Sequence, residues 1–85
     1  MASYSVSIKP SAAKELERLP RKDRRRIAQR VSALAGDPRP PGCEKLTGDD
    51  AYRVRQGNYR ILYTIADDRL VVLVIKIGDR KAVYR

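Results

Sequence analysis

The apolar residues of this chain repeat at one period before a proline-rich stretch and at another after it. Ala12, Leu16 and Leu19 recur at i, i+4 and i+7, and Ile27, Val31 and Leu34 do the same, with Ala28 and Ala35 beside them. That spacing belongs to helices that bury one stripe. From Tyr52 onward apolar and polar residues alternate, as in strands that bury one face. Between the two lies Gly36 to Gly42, with three prolines and two glycines, which reads as a loop. In a chain of 85 residues neither side buries a core alone. Helices and strands must therefore pack on each other, within a single domain spanning residues 1–85.

Tyr4 to Ile8 alternates as a short strand, and Pro10 stops it. Ser11 is placed to cap a first helix, which Pro20 ends or bends. A second helix starts near Arg21. Gly36 is placed to end it in a left-handed conformation, and Asp37-Pro38 prevents its resumption. After the loop come three strand segments, Tyr52–Arg55, Tyr59–Ala66 and Leu70–Ile77, separated by Gly57-Asn58 and Asp67-Asp68. They read as an antiparallel meander. Gly78 to Arg80 breaks it and a short tail follows. The expected fold is α+β: a short N-terminal strand, a helical hairpin, and a three-stranded antiparallel meander forming one sheet with the helices packed on one face.

Residue usage narrows the chemistry. With 19 Lys+Arg against 10 Asp+Glu the formal charge is +9, a field that draws nucleic acid, an anionic membrane or an acidic protein. Arginine dominates the cations, and its planar fork suits phosphate. There is no histidine, which excludes Ser-His-Asp triads, Cys-His pairs and two-histidine ribonuclease chemistry. The lone Cys43 makes no internal disulfide and cannot complete a zinc site, and it is assigned no catalytic role. Glu44, Asp49 and Asp50 lie in or near a loop and are not assigned to a metal. No metal or cofactor is expected. The longest apolar run, Leu70 to Ile75, is too short to span a bilayer, and the N-terminus lacks the apolar stretch of a signal peptide. A cytoplasmic protein is expected, with no membrane partner.

Register places the arginines. A two-residue loop at Gly57-Asn58 sets Arg55 opposite Arg60 and Arg53 opposite Leu62. A two-residue loop at Asp67-Asp68 then sets Arg60 opposite Ile75 and Tyr59 opposite Lys76. One face carries Arg53, Arg55, Arg60, Leu62, Leu73 and Ile75. The other carries Tyr52, Val54, Ile61, Tyr63, Val72 and Val74, and is the candidate to lie under the helices. Three guanidiniums on one face destabilise the sheet unless an anion relieves them. Two readings follow: a solvated polar face with scattered arginines, or a cradle for a polyphosphate. The helical hairpin adds Arg24, Arg25, Arg26 and Arg30, either as a solvated face or as a grip on RNA.

Leu46-Thr47-Gly48, Tyr52-Arg53-Val54-Arg55, Gly57 to Tyr63, Gly78-Asp79-Arg80 and Val83-Tyr84 together resemble the RelE/ParE toxin superfamily. The likeness covers nearly the whole chain. It implies a toxin of a type II toxin-antitoxin system held inactive by a small antitoxin. RelE-like members are endoribonucleases that cut mRNA in the ribosomal A site; ParE-like members instead poison DNA gyrase. The RelE-like active site corresponds here to Arg53, Arg55, Arg60, Arg80 and Tyr84. That set points to the ribonuclease branch, with gyrase inhibition without RNA cleavage as the alternative. Arginines stand at Arg53 and Arg55 where the best-known members have lysines, and Asp79 stands where many have histidine.

The implied reaction uses the RNA's own 2′-OH as nucleophile and needs no metal. Arg60 and Arg80 are the candidate phosphoryl clamp, and Arg53 and Arg55 would hold flanking phosphates. Arginine stays protonated, which leaves Tyr84 as candidate base or base-stacking group, and Lys81 as an alternative proton carrier and RNA contact. The acid is left open. The implied partners are a RelB-like antitoxin, the ribosome and mRNA, with DNA reached only through the antitoxin.

Overall fold

A computed structural model describes residues 3–48 and 50–79. Seven elements follow in order: β1 (Ser5–Ile8), α1 (Pro10–Glu17), α2 (Arg21–Ala33), β2 (Glu44–Lys45), β3 (Tyr52–Gln56), β4 (Tyr59–Ala66) and β5 (Val71–Asp79). The strands form one sheet in the order β1-β5-β4-β3-β2. β1 runs parallel to β5, with Ser5 opposite Val71 and Ile8 opposite Val74; the other pairs are antiparallel. This is the expected α+β arrangement, enlarged by the two-residue strand β2. Glu44-Lys45 is too short to carry a period, which is why its pattern does not announce it.

The helices begin and end where proline permits. Pro10 is the first residue of α1, and Lys9 precedes it without a side-chain cap. Ser11 therefore lies inside the first turn and does not cap it. Proline's fixed φ is already helical and it has no N–H to satisfy, so the helix starts two residues earlier than a serine cap at Ser11 would allow. Pro20, in an extended conformation, separates α1 from α2. The left-handed ending expected at Gly36 is absent: the glycines with positive φ are Gly42, Gly48 and Gly57. Instead Leu34, Ala35 and Gly36 donate N–H bonds to the carbonyls of Val31, Ser32 and Ala33. This tightened last turn satisfies the terminal carbonyls without a change of hand.

Each helix lays its apolar stripe on the same face of the sheet. Ala12, Ile27, Val31 and Leu34 are buried against Val54, Ile61, Tyr63, Val72, Val74 and Ile77, with Leu16 and Leu19 half-buried at the margin. Burying one such aliphatic side chain contributes about 1.5–3 kcal/mol. Tyr63 is fully enclosed, and its hydroxyl donates to the Pro38 carbonyl at 2.7 Å. That bond ties the proline-rich loop to the core.

The first hairpin has the expected register, with Arg55 opposite Arg60, Arg53 opposite Leu62 and Val54 opposite Ile61. Gly57 has φ +61°, which suits the first position of a two-residue hairpin turn. The second hairpin departs from expectation. Its turn takes four residues, Asp67 to Leu70, with Arg69 and Leu70 donating back to Ala66 and Asp67 and Leu70 at φ +52°. Ala66 then faces Val71, and a bulge follows in β5 between the partners of Leu62 and Tyr63. Beyond it Leu62 faces Lys76, Arg60 faces Gly78 rather than Ile75, and Tyr59 faces Asp79 rather than Lys76. Lengthening the turn by two residues preserves which side Val72 and Val74 face. The bulge then reverses the alternation, so Ile77 joins the core while Lys76 and Gly78 share a face with Leu62 and Arg60.

β1 ends opposite Val74, so among the described residues the last part of β5 has no strand on that side. α1 packs there instead. Glu15 Oε1 accepts the Ile77 N–H at 3.1 Å, and Glu15 Oε2 lies 3.6 Å from Lys76 Nζ. A helix carboxylate thus occupies an edge that would otherwise offer a free donor to another strand.

Candidate nucleic-acid interface

β3 and β4 bring Arg53, Arg55 and Arg60 to the sheet face opposite the helices. The register makes Arg55 and Arg60 direct cross-strand neighbours, a pairing in which Cβ atoms lie about 5 Å apart. Arg55 is exposed, whereas Arg53 and Arg60 are buried, Arg60 to 3% exposure. Gly78, opposite Arg60, adds no side chain there. Arg80, Lys81 and Tyr84 lie outside the described residues; the last described one, Asp79, sits opposite Tyr59.

A carboxylate meets this cluster. The pairing of β2 with β3 sets Glu44 opposite Arg53, and Glu44 Oε2 lies 3.0 Å from Arg53 Nη2. Sequence reading missed this contact because it depends on an edge strand of only two residues. The only available signal is the acid itself, flanking a stretch rich in arginine.

The helix cations form a second surface. Arg25 and Arg26 are exposed, and with Arg21, Lys22 and Gln29 they line a groove along α2. Arg24 Nη1 donates to the Glu17 carbonyl at 3.4 Å, and Arg24 and Arg30 are half-buried. Since α2 packs on the core face, these cations and the sheet arginines occupy opposite sides of the sheet. The fold does not merge them into one cluster. Asp23 accepts a hydrogen bond from the Tyr59 hydroxyl at 3.2 Å, which fixes the start of α2 against β4.

A third cluster, which sequence reading treated as a simple turn, centres on Asp67. Arg39 clasps it with both Nη atoms, at 3.1 and 2.9 Å, and the Tyr4 hydroxyl donates to it at 2.7 Å. Arg39 also lies 5.1 Å over the Tyr52 ring and donates to its hydroxyl, and Tyr52 stacks on Tyr63. Arg39, and then Tyr4, hold the Asp67 carboxyl at about 2. Burial, then the Asp23 carboxylate, pushes the Tyr59 phenol up, burial pushes Tyr63 up, and the bond to Asp67 does the same for Tyr4. These three phenols keep their protons near neutral pH, which makes them poor proton acceptors. They serve packing and anchoring.

The arrangement of two helices on one side of a mixed sheet is shared with solved relatives. The family described as ParE toxin of type II toxin-antitoxin system, parDE, matches residues 6–84. Toxin RelE of Mycobacterium tuberculosis is 35% identical over 85 residues, covering 96% of this chain and 87% of that one. A chain of the archaeal RelE–RelB complex from Pyrococcus horikoshii OT3 superposes with a TM-score of 0.82 at 33% identity, covering 92% of this chain and 96% of the other. The isolated E. coli RelE toxin does so with a TM-score of 0.79 at 27% identity, covering 98% of each. These likenesses define a type II toxin-antitoxin toxin. The chain belongs to the RelE/ParE toxin superfamily.

Proposed function

We propose that this toxin is a ribosome-dependent endoribonuclease that cleaves mRNA in the ribosomal A site. The observation that carries the reading is the cross-strand pairing of Arg55 with Arg60, with Arg53 on the same face. Such a pairing of like charges destabilises an empty sheet and becomes favourable when phosphates lie across it. Arg60 and Arg80 clamp the phosphoryl oxygens of the scissile bond, while Arg53 and Arg55 hold flanking phosphates. The 2′-OH attacks the adjacent phosphorus, leaving a 2′,3′-cyclic phosphate and a 5′-OH. Tyr84 accepts the 2′ proton or stacks on a base, with Lys81 as the alternative carrier and a further RNA contact.

The surface of Arg24, Arg25, Arg26 and Arg30 binds ribosomal RNA from the other side of the sheet. With no histidine in the chain, proton transfer is inefficient, and alignment of the message by the ribosome supplies what the side chains lack. A RelB-like antitoxin, of the kind present in the Pyrococcus complex, neutralises the toxin, and the target places its action in the cytoplasm. Arg53, Arg55, Arg60, Arg80 and Tyr84 form the catalytic set, and the route needs no metal or cofactor.

Primer extension on an mRNA in a purified translation system tests this. Wild-type protein should cut at A-site codons. An Arg60→Ala/Arg80→Ala variant and a reaction lacking ribosomes should leave the message intact. The match to the ParE description keeps gyrase inhibition as the second reading. Intact mRNA together with supercoiling defects would establish it and overturn the first.

A further inference from the structure

The expectation that three clustered guanidiniums need an anion has a partial answer inside the chain. Glu44 projects from β2 onto the arginine face and pairs with Arg53. The two partners differ in freedom: the Arg53 side chain is 10% exposed and that of Glu44 is 54% exposed. Arg53 is thus held by its surroundings, while the glutamate can turn into water. The backbone beneath it is fixed, because β2 is paired to β3 and the Leu46 N–H donates to the Ala51 carbonyl at 2.9 Å. Carboxylate and phosphodiester each carry one negative charge and present oxygens that a guanidinium binds in the same way. Exchanging one for the other conserves the charge of the face.

We propose that Glu44 is the resident occupant of a phosphodiester subsite on Arg53, holding the guanidinium in the free toxin and yielding it to RNA. This rests on the reading of the arginine face as an RNA site. It adds to that reading a residue that sets RNA affinity. In the free protein Glu44 offsets the repulsion among Arg53, Arg55 and Arg60; on binding, an RNA phosphate takes over that role.

Binding of a labelled single-stranded RNA oligonucleotide, followed by fluorescence anisotropy over a salt series, tests the proposal. The full-length proteins compared are wild type, Glu44→Gln, Arg53→Gln, their combination, and Asp68→Asn. The last removes the same charge from the distant β4–β5 turn. Glu44→Gln should bind about fivefold tighter than wild type, with a salt dependence steeper by roughly one phosphate contact. Asp68→Asn should change affinity less than about twofold, and the gain should vanish without Arg53. Without RNA, Glu44→Gln should melt lower than wild type and recover more of its melting temperature in pyrophosphate.

A Glu44→Gln protein no tighter than Asp68→Asn overturns the proposal, and that comparison stands even if Arg53→Gln fails to fold. So does a gain that persists without Arg53. Unchanged RNA affinity with lost cleavage also overturns it and makes Glu44 a proton carrier. Absence of RNA binding by the wild type overturns the RNA-site reading itself, whereas RNA binding indifferent to Glu44 overturns only the subsite.

Discussion

Arg60 and Ile61 are consecutive residues of β4, 3% and 0% exposed, and they point to opposite sides of the sheet. On one side Ile61 meets Val54, Ile77 and the helix stripe. On the other Arg60 lies across from Arg55. Equal burial thus has opposite meanings. Enclosing Ile61 removes apolar surface from water and stabilises the fold. Enclosing Arg60 strips water from a charge, which costs stability, and strengthens the pull of that charge on whatever group lies against it. The sheet separates the residues that hold the protein together from those proposed to act.

The separation can be broken in order of effect. Arg60→Ala should lower the rate of A-site cleavage by about 10²–10³-fold, the scale for removing one charge-stabilising donor, as read by primer extension against time. Ile61→Ala should do the reverse. It should cost about 2–5 kcal/mol in urea unfolding, while cleavage measured well below its melting temperature stays within a few-fold of wild type. A large cleavage defect in well-folded Ile61→Ala would mean that the two faces are coupled.

The smallest effect lies outside both faces, at Asp67. Arg39 and Tyr4 depress its carboxyl to about 2. The stability it contributes is therefore present above the ordinary carboxylate range, near pH 4, and is lost as pH falls toward 2. Asp67→Asn should melt slightly lower than wild type at pH 7, with the difference shrinking between pH 4 and 2.5 in thermal melts. A difference independent of pH would assign the role of Asp67 to the turn rather than to its charge.

How much of this was legible depends on the range of the interaction that decides each feature. The helix stripes and the β3–β4 register depend on residues a few positions apart, so Gly57-Asn58 suffices to set Arg55 against Arg60. The β4–β5 register hinges on Leu70 taking a left-handed conformation, which nothing in a leucine advertises. The clasp of Arg39 on Asp67 spans 28 positions, and Glu44 reaches Arg53 only because β2 forms. The arginine face could thus be read, but its counter-ion and the latch on the proline-rich loop could not. Arg80, Lys81 and Tyr84 enter only through the family resemblance and lie outside the described residues.

The bulge in β5 also constrains how this strand can change over evolutionary time. Ile75 is the extra residue, so removing it alone would put the strand back into simple two-residue phase and leave Lys76, Ile77 and Gly78 opposite Leu62, Ile61 and Arg60 as before. A one-residue insertion after it would instead swap sides, sending Ile77 out toward the arginines and Lys76 into the core. Viable single-residue changes of length in this part of β5 should therefore be deletions that the bulge absorbs, whereas an insertion needs a second defect that restores the phase, so the apparent irregularity is one residue of slack that descendants of this chain can lose.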